Sequence, residues 1–583
     1  MNPKRLLFMQ TLSIFPIVGI LLIYAQGLVY IIVALILLLL LAVNLYRYKK
    51  NTPLLNYPLL IILMLSFFFY VFYNLGTTEV PQTFTTLKKG NSVTFNFSNP
   101  VNIDKICYYV GIDKDAYFTL EEFKKEKWKK FYSSQKSFPF SFRWKCIEHE
   151  LQSSKIRLSI TKSQMMLNEI RFLKKDETIE YQSRVKNIND ESQFGIDESY
   201  YSGMFFDEIY FGRTAYEILN KQTVYENTHP YLGKLLIIPG IKFFGMTPFG
   251  WRFTNALFAG ILIFMAYYFA LQMFRKKEYA FVSAFLMTYS FMHLAQARIG
   301  LIDTFGVLFV FISYFYLYRF IIKQKLSLLL LSGLFYALAA AVKWSSVFAA
   351  LGFIFIAFYL LLSGYALQKR FSGIKLLLYG ILSYAILAPL VYAVSFFDIY
   401  LQTGSFQSII DYNLGMYDYH SGLQSTHDYS SSWWSWPLNL IPMGYYKLQE
   451  NGLLSSINAF GNPAIFWLGI VAILYLVFVI IKRATLEAWF ILLAFLGLYL
   501  PYIFVGRLMF IYHFYYAVPF LMLAIVYMFK DGMEKSIYIR KFYLPYLFIV
   551  AGLFVAFYPV LSGYAVNQMY VDYVLRWLPK WWF

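Results

Sequence analysis

The feature that most constrains this chain is a series of apolar runs, each close in length to a membrane-spanning helix. In a chain of 583 residues there are thirteen of them, at residues 6–24, 28–46, 57–73, 251–274, 279–297, 301–320, 326–342, 346–363, 374–395, 463–481, 486–505, 508–529 and 542–560. A helix needs about 20 mostly apolar residues to cross the hydrocarbon core of a bilayer, and it satisfies its own backbone polar groups there. The sequence therefore predicts an all-α polytopic membrane protein with about thirteen transmembrane helices.

Basic residues between the runs predict the orientation. Lys and Arg cluster at residues 47–50, 275–277, 319–325, 369–375, 482–483 and 530–541, and these clusters fall on one side if each run crosses once. Because cytoplasmic loops retain Lys and Arg, we predict a plasma (inner) membrane protein with a cytoplasmic N-terminus and an extracytoplasmic C-terminus. The formal net charge of +19 is spread among these loops and is not gathered on one soluble face, which argues against a nucleic-acid partner.

The apolar runs also predict the domain organisation. We expect residues 1–50 to form an N-terminal transmembrane hairpin, since Ala25-Gln26-Gly27 is only a weak cleavage site for a signal peptide. Residues 51–76 carry the next helix, and residues 201–583 form the main membrane region with a long exterior loop at 396–462. The final segment, YVLRWLPKWWF, suits an interfacial amphipathic anchor.

Residues 77–200 differ in composition from the rest of the chain. They are polar and Lys-rich, and stretches such as SVTFNF and KIRLSI alternate with the period of strands, so we predict an inserted extracytoplasmic β-sandwich domain. Both cysteines, Cys107 and Cys146, fall in this domain and are candidates for one disulfide, with two unpaired buried thiols as the alternative. The order of segments loosely resembles the discoidin or coagulation-factor type C jelly roll. That resemblance would imply sugar or surface binding, and a structural spacer is the alternative.

Titratable side chains and a cluster of tryptophans concentrate at the predicted outer face of the membrane. The stretch FDEIYFGRTAYEILNKQTVYENTHPYLGK, residues 206–234, opens with the acid pair Asp207 and Glu208 and ends in a turn with His229 and Lys234. Other members of this outer set are Arg252, Arg298, Asp303, Lys343, His420, His427, Trp433, Trp434, Trp436, Arg507 and His513. Charged groups at the ends of membrane helices are costly to hold, so their convergence at one face indicates a catalytic site.

Each of these residues also has an ordinary structural explanation. Asp207 and Glu208 could compensate a helix dipole, and Lys343 could extend along apolar surface to the lipid headgroups. Arg298 and Asp303 could form a structural ion pair. The three tryptophans could belong to an interfacial aromatic belt. These alternatives stay open for each residue taken singly.

Eight motifs, in order along the chain, resemble those of a known family. They are FDEIYFGRTAYEIL, HPYLGKLLIIPGIKFFG, FGWRFTNALFAG, QARIGLIDTF, AAAVKWSSVF, HDYSSSWWSWPL, GNPAIFWLG and GRLMFIYHFYYAVPFL. In order, spacing and predicted side of the membrane, the chain resembles the protein O-mannosyltransferase family from about Tyr57 to Tyr558, with the β insert set aside. The resemblance implies a prokaryotic-type GT-C membrane glycosyltransferase. Such an enzyme would move a sugar, expected to be mannose, from a polyprenyl-phosphate donor to Ser or Thr hydroxyls of exported proteins.

The implied chemistry suggests a role for each residue. Transfer from a lipid phosphate to a hydroxyl needs a base for the hydroxyl proton and cations for the departing phosphate. The resemblance makes Asp207 the expected base of an inverting displacement, with Glu208 as a second catalytic residue that orients the acceptor or pairs with a cation. The phosphate-binding candidates are Arg252 first, then Arg298, Arg507 and Lys343, since cationic side chains and above all guanidinium groups suit phosphate. The residues expected to shape the pocket or contact the acceptor are His229, Lys234, Asp303, His420, His427, Trp433, Trp434 and Trp436.

The chain departs from the family pattern in three places. Tyr231 replaces the second proline of the usual His-Pro-Pro-Leu-Gly-Lys turn, which predicts a less rigid backbone. The N-terminal hairpin is additional to the family core. A β domain is inserted before the Asp-Glu pair, while the exterior loop has no room for a trefoil-like sugar-binding domain. These departures leave the acceptor open.

No cofactor is firmly implied. A polyprenyl phosphate is already a good leaving group that Arg and Lys can stabilise, so the chemistry does not require a metal. A divalent metal held by Asp207, Glu208, His420 and His427 is the alternative, although no compact spacing of the zinc kind occurs among them.

Two other function classes share part of this pattern. A GT-C enzyme of the aminoarabinose-transferase type, which glycosylates a lipid or a glycan, would share the Asp-Glu pair. A membrane transporter or flippase would place polar residues near the middle of the membrane and often show internal repeats, and neither feature is visible in this sequence.

Overall fold

The computed structural model describes residues 3–24, 28–50, 59–134, 141–363, 373–423 and 426–583. The tripeptide Ala25-Gln26-Gly27 and the basic residues Lys369 and Arg370 lie outside the described residues. The helices in chain order are α1 (Pro3–Ile23), α2 (Leu28–Lys49), α3 (Leu59–Phe72), α4 (Glu208–Leu219), α5 (Leu232–Leu235), α6 (Ile238–Phe244), α7 (Pro248–Phe274), α8 (Lys277–Thr288), α9 (Phe291–Ala297), α10 (Asp303–Lys323), α11 (Leu326–Val342), α12 (Ala349–Leu362), α13 (Gly373–Gly380), α14 (Leu387–Val394), α15 (Phe397–Thr403), α16 (Gln407–Gly422), α17 (Pro463–Arg483), α18 (Leu486–Tyr499), α19 (Val518–Lys535), α20 (Ile537–Ser562) and α21 (Gln568–Tyr570).

Helical residues occur in every predicted apolar run. Within the described ranges, nine helical segments are long and apolar enough to cross a membrane, and α3 and α11 are shorter apolar helices. The protein is therefore a mostly helical, multi-pass membrane protein. The total of thirteen crossings stays a prediction.

Five predicted runs are not single α-helices. The run 346–363 begins in a 3-10 helix at Trp344–Phe348, and the run 486–505 ends in one at Leu500–Phe504. The run 279–297 is divided into α8 and α9 because Ser290 lies between them, where its side chain accepts a hydrogen bond from the His293 backbone N–H and caps α9. The run 374–395 contains a π-helical segment at Ile381–Ile386. The run 508–529 begins as a 3-10 helix at Ile511–Tyr516, and α19 starts only at Val518, with Pro519 in its first turn. Local capping and proline chemistry therefore divide stretches that are uniformly apolar.

The chain divides into two compact units. The first comprises Met1–Tyr73, Glu226–Leu236 and Asn255–Phe583, and the second comprises Asn74–Tyr225 and Ile237–Thr254. The second unit contains five strands, which are β1 (Thr85–Lys88), β2 (Ser92–Lys124), β3 (Lys127–Ser133), β4 (Ser141–Lys174) and β5 (Glu177–Ile179).

The strands of the second unit form one hydrogen-bonded sheet in the order β1-β4-β2-β3, with β5 paired to β4. Register shifts break β2 and β4 into segments, so that residues 105–110 of β2 pair with residues 143–148 of β4 on one side and 167–173 on the other. Their alternate side chains build a buried core that includes Phe95, Leu158 and Phe172. A β region is therefore present within the predicted insert, and its bounds as a domain and its sandwich arrangement stay predictions.

A disulfide joins Cys107 and Cys146 within this β domain, between directly paired positions of β2 and β4. Around it pack the buried rings of Tyr109 and Trp144. The two cysteines are therefore not unpaired thiols in this structure.

A second, small sheet lies in the first unit and is not predicted by the sequence pattern described above. It joins β6 (Met443–Glu450), β7 (Leu453–Ala459) and β8 (Val566–Asn567) in that order. Asn451 and Gly452 connect β6 to β7 with φ values of 49° and 75°, the left-handed conformation that two-residue hairpins prefer and that Asn-Gly adopts readily. The C-terminus packs nearby, with Trp581 and Phe583 fully buried, so this segment is in part a packed element of the protein and not only an interfacial anchor.

Candidate active site

The acid pair Asp207 and Glu208 lies at the start of α4, and the two carboxylates have different surroundings. Asp207 is the N-cap residue; it is half-buried, and its side chain does not cap the helix. Glu208 is fully buried, with its two carboxylate oxygens 2.6 and 2.8 Å from Nε and Nη2 of Arg252. Phe206, directly before the pair, has a φ of 49°, a rare conformation for an aromatic residue. An unusual backbone at this point is of the kind found at functional sites.

Arg252, the first phosphate candidate, is fully buried in the second unit. In addition to its bonds with Glu208, it donates to the carbonyls of Leu75 at 2.7 Å and Gly203 at 2.9 Å. The ring of Phe205 lies 4.9 Å from its guanidinium carbon. These four hydrogen bonds leave about one of the five guanidinium N–H groups for another acceptor. Arg252 is an anchor for the start of α4, and its contact with phosphate stays a prediction.

Arg298, the second phosphate candidate, is buried in the first unit. Its Nη1 lies 2.9, 2.9 and 2.8 Å from the carbonyl oxygens of Tyr70, Val71 and Tyr73, and its Nη2 donates to that of Ser562 at 2.9 Å. These carbonyls belong to the C-terminal ends of α3 and α20, where the last turn of a helix lacks intrahelical donors and carries partial negative charge. Arg298 therefore caps two helices at once, a role that the sequence does not predict.

The turn that contains His229 and Lys234 is braced by a buried ammonium group. Nζ of Lys234 donates to the backbone carbonyls of Glu226 and His229, both at 2.9 Å, and to the hydroxyl of Tyr412 at 2.6 Å. It also forms an ion pair with the carboxylate of Glu226. Because Lys234 is fully buried and has these partners, it fixes the turn to helix α16, which carries Tyr412.

Glu226 is a member of this site that the sequence pattern does not single out. Its carboxylate accepts from the Thr228 backbone N–H at 2.8 Å and lies 3.0 Å from Nδ1 of His229. Burial alone would raise the pKa of this carboxyl, but Lys234 and His229 outweigh burial and hold the pKa well below its usual range. Burial lowers the pKa of His229, and the carboxylate of Glu226 opposes that effect. An acid three residues before His229 is the sequence signal that could have identified this residue.

Tyr231, which stands where the family turn usually has proline, is fully buried. Its hydroxyl donates to Oδ2 of Asp398 in α15 at 2.7 Å, and its ring packs against Phe396 and Tyr412. A tertiary hydrogen bond and ring packing thus restrain this turn where a second proline would restrain it locally. Sequence alone does not reveal this compensation because Asp398 is distant along the chain.

His420 and Arg507 form a direct contact in the first unit. Nη1 of Arg507 lies 2.7 Å from Nδ1 of His420, and Nε2 of the same imidazole lies 2.7 Å from the carbonyl oxygen of Thr228. The rings of His420 and His229 meet edge to face, with centroids 5.5 Å apart. Burial, together with the charge of Arg507, lowers the pKa of His420 to about 4.

Lys343 and Asp303 form a buried ion pair between α10 and the segment that follows α11. Nζ of Lys343 lies 2.9 and 3.0 Å from the two carboxylate oxygens of Asp303, and the ring of Tyr512 lies 5.4 Å away. Lys343 is only 8% exposed, so it does not extend along the surface to lipid headgroups. Its charge contributes to lowering the pKa of both His229 and His420.

The three tryptophans of the loop at 396–462 have different surroundings. Trp436 is fully buried, donates to the carbonyl and hydroxyl of Ser431, and stacks on His513 with centroids 6.0 Å apart. Trp433 is half-buried, and Trp434 is 54% exposed. Trp434 is therefore the one of the three with a broad accessible face.

His427 lies on the surface of the same loop. It is exposed, its Nδ1 accepts from the Tyr429 backbone N–H at 3.2 Å, and its ring contacts that of Phe510 edge to face. Its predicted role in the pocket stays a prediction. Across the described ranges of the chain, no group of three or more His, Cys, Asp or Glu side chains is arranged to hold a metal ion.

Comparison with known proteins identifies the family. The family model described as dolichyl-phosphate-mannose-protein mannosyltransferase matches residues 228–392. The model described as the C-terminal four TMM region of protein-O-mannosyltransferase matches residues 405–581. Together the two matches span more than half of the chain. They include the turn that contains His229, and they also include Lys343, His420 and Arg507.

Curated relatives agree with these matches. A polyprenol-phosphate-mannose–protein mannosyltransferase of Mycobacterium tuberculosis is 25% identical over 455 residues, which cover 64% of this chain and 86% of the relative. The protein of the same name from Corynebacterium glutamicum is 26% identical over 432 residues, covering 60% of this chain and 81% of the relative. The chain is thus similar to these relatives over most of their length.

A solved structure shares the fold. The S. cerevisiae protein O-mannosyltransferase Pmt1-Pmt2 complex bound to the sugar donor aligns with a TM-score of 0.58 at 13% identity, covering 65% of this chain and 89% of that chain. The chain therefore belongs to the protein O-mannosyltransferase family and is a membrane-embedded glycosyltransferase of the GT-C type.

Proposed function

We propose that this protein transfers mannose from a polyprenyl-phosphate-linked donor to Ser or Thr hydroxyls of exported proteins. The names of the relatives in M. tuberculosis and C. glutamicum give polyprenol-phosphate-mannose as donor and protein as acceptor. The family model that matches residues 228–392 names dolichyl-phosphate-mannose and protein, and the model that matches residues 405–581 names a protein O-mannosyltransferase.

The observation that carries the proposal is the state of Arg507. Its one hydrogen bond to another described residue goes to the neutral imidazole of His420, and no carboxylate of the described chain pairs with it. It is half-buried, so part of the residue is accessible. A guanidinium has five N–H donors and binds phosphate through a two-pronged contact, so Arg507 retains donors for a phosphate. We therefore propose that Arg507 binds the phosphate of the donor.

Lys343 is the second cation that we assign to the phosphate. Its charge acts on both His229 and His420, and His420 bonds Arg507, so the two cations act on one group of side chains within the first unit. Asp303 holds the Lys343 ammonium by two contacts and fixes its position. Fixed cations stabilise the negative charge that develops on the leaving phosphate without reorganising during the reaction.

Arg252 and Arg298 receive structural roles in this proposal. Arg252 uses four of its five N–H groups on Glu208, Leu75 and Gly203, and Arg298 binds the carbonyl ends of α3 and α20. A two-pronged phosphate contact would require Arg252 to break a buried hydrogen bond and would draw Arg298 away from the carbonyls it binds, which is costly. Arg507 does not carry this cost.

Asp207 is the proposed general base. In an inverting displacement the acceptor oxygen attacks the anomeric carbon of the sugar while the bond from that carbon to the phosphate oxygen breaks. The carboxylate of Asp207 takes the hydroxyl proton, and the polyprenyl phosphate leaves as an anion. The half-buried position of Asp207 supports this role, whereas Glu208 is enclosed and paired with Arg252. We therefore give Glu208 the role of a positioning residue for the start of α4.

The proposed reaction takes place on the extracytoplasmic side of the plasma membrane. Two observations support this location. The basic clusters between the apolar runs suit the cytoplasmic side, and the disulfide in the β domain suits an oxidising compartment, where disulfides persist. Thirteen crossings and a β-sandwich insert complete this proposed topology. The two-sided pairing of residues 105–110 supports the sandwich, because one segment then serves as the centre of a layer.

A transfer assay tests the proposed function. Membranes containing the protein are incubated with polyprenyl-phosphate-[³H]mannose and a Ser/Thr-rich acceptor protein. The proposal predicts label in the acceptor that alkaline β-elimination releases, because that treatment cleaves sugars from Ser and Thr. Label in lipid or glycan alone would support the aminoarabinose-transferase-like alternative, and flux of the donor across vesicles without transfer would support a transporter. Either result would overturn the proposal.

A further inference from the structure

We infer that His420 is a positioning residue, which holds the guanidinium of Arg507 in the orientation that meets the donor phosphate. This inference rests on the proposed function, because it requires Arg507 to contact that phosphate. The single observation behind it is that one imidazole connects Arg507 to the backbone of the turn at Thr228.

The partners of the imidazole determine which nitrogen of His420 carries the proton. The Thr228 carbonyl can only accept, so Nε2, 2.7 Å away, must donate to it. The guanidinium of Arg507 can only donate, so Nδ1, 2.7 Å from its Nη1, must accept. Both bonds form together only in the neutral tautomer with its proton on Nε2.

Arg507 needs a partner of this kind because its own backbone does not lie in a regular element. Residues 505–510 connect two 3-10 helices, Leu500–Phe504 and Ile511–Tyr516, and adopt no regular secondary structure. A long side chain on such a segment has many rotamers, and fixing it lowers the entropy lost when a ligand binds. His420 lies in the last turn of α16, so its position is set by a helix.

Burial and the charges around His420 keep it in the accepting form. Burial is the largest cause of its lowered pKa, and the charges of Arg507, of His229 from the turn and of Lys343 from the segment after α11 lower the pKa further; the carboxylate of Glu226 contacts His229. At neutral pH, His420 is therefore uncharged and attracts the guanidinium through its lone pair. A protonated imidazole would instead repel Arg507.

The first arm of the test compares two substitutions of His420 in the full-length protein. His420→Ala removes Nδ1, the acceptor for the guanidinium of Arg507. His420→Asn supplies Oδ1 as an acceptor at about the same distance from the backbone. Michaelis constants are measured with polyprenyl-phosphate-mannose as donor and a Ser/Thr-rich peptide as acceptor. We expect His420→Ala to raise the donor KM about tenfold and leave the acceptor KM unchanged, and His420→Asn to recover most of the loss. His149→Ala, in the β domain, is the matched control and should behave as wild type.

The second arm is a double-mutant cycle with Arg507→Ala. If His420 acts through Arg507, the double variant should have the donor KM of Arg507→Ala alone, because the partner that His420 positions is already gone. Fully additive effects, or a wild-type donor KM in His420→Ala, would overturn the inference.

A pH profile gives a readout that does not depend on the folding of the alanine variant. The wild-type donor KM should rise as the pH falls toward the pKa of His420, and the His420→Asn profile should be flatter. Equal profiles would also overturn the inference. If wild-type protein transfers no mannose at all, the proposed function fails, which is a different outcome from a wild type that transfers mannose with no dependence on His420.

Discussion

At the scale of single residues, two neighbouring acids have different surroundings. Asp207 is half-buried at the start of α4, and Glu208 is enclosed and paired with Arg252. Removing one partner of a buried ion pair leaves a charge without compensation, whereas water screens the charges around a partly exposed carboxylate. Adjacent positions in the sequence should therefore respond to substitution in opposite ways.

We predict that Glu208→Gln destabilises the protein by about 3–5 kcal/mol, because it leaves the buried guanidinium of Arg252 unpaired. Asp207→Asn also replaces a carboxylate by a neutral amide, at the neighbouring position. We expect it to change the free energy of unfolding by less than about 1 kcal/mol. Unfolding of the purified protein in detergent, followed by intrinsic fluorescence against denaturant concentration, measures both values. Equal destabilisation by the two variants would contradict the separation of roles.

The stability of the protein should also depend on pH through His420. Its pKa is lowered from 6.5 to about 4 in the folded protein, so between these pH values the unfolded chain binds a proton that the folded protein does not. The free energy of unfolding therefore falls as the pH decreases from about 6.5 to about 4, and this contribution is fully present above 6.5. The stability difference between wild type and His420→Asn should shrink over that window. A constant difference from pH 7 to pH 4 would show that the imidazole is not held neutral.

At the scale of elements, buried arginines complete the ends of helices. Arg298 contacts carbonyls at the end of α3 and that of Ser562 at the end of α20. Arg507, by contrast, bonds a side chain and lies on a segment without regular structure. The two residues have the same chemistry and different tasks.

We therefore predict opposite phenotypes for Arg298→Met and Arg507→Met. Arg298→Met should lower the free energy of unfolding by roughly 3 kcal/mol, through the lost bonds to helix-terminal carbonyls, and leave the donor KM of the folded fraction unchanged. Arg507→Met should leave stability within about 1 kcal/mol of wild type and raise the donor KM about tenfold or more. Denaturant unfolding and donor titration of both variants check this. The reverse pattern would indicate that Arg298, and not Arg507, binds the donor phosphate.

Elements differ in how far the sequence predicts them. Apolar length predicts the helices, because lipid requires it, but it does not predict the break before α9, where the side chain of Ser290 competes as a cap. The hairpin of β6 and β7 has a readable signal in Asn451-Gly452 that the long exterior loop obscures. Glu226 has a local signal, since it lies three residues before His229. Asp398 acts through Tyr231, a partner that folding brings close, and a single sequence does not show such a pair.

At the scale of the whole molecule, the sequence predicts the membrane class and the family, while the partners of the charged residues come only from the structure. From the sequence, Arg252 is a candidate cation for binding phosphate. In the structure, it instead donates hydrogen bonds to Glu208, Leu75 and Gly203. Arginine suits both phosphate and carbonyl oxygen, so its residue type does not distinguish a ligand contact from an internal anchor. Tertiary contacts make that distinction.

The predicted topology can be tested by cysteine labelling. The chain has only two cysteines, and they form the disulfide of the β domain, so single introduced cysteines should be labelled without background. We expect Ser421→Cys in the exterior loop to react with a membrane-impermeant maleimide on intact cells. Gln324→Cys, after α10, should react only once the cells are permeabilised. Labelling of Gln324→Cys on intact cells would contradict the orientation.

We propose that Asp207 is the base of a mannosyl transfer to protein. The most direct test is single-turnover transfer from polyprenyl-phosphate-[³H]mannose to a Ser/Thr-rich acceptor by wild type and by Asp207→Asn, at donor concentrations that saturate both. The account predicts a rate for Asp207→Asn about 10²–10⁴-fold below wild type, with donor binding and stability retained, because the substitution removes the proton acceptor alone. A rate close to wild type in a folded, donor-bound Asp207→Asn protein would contradict it.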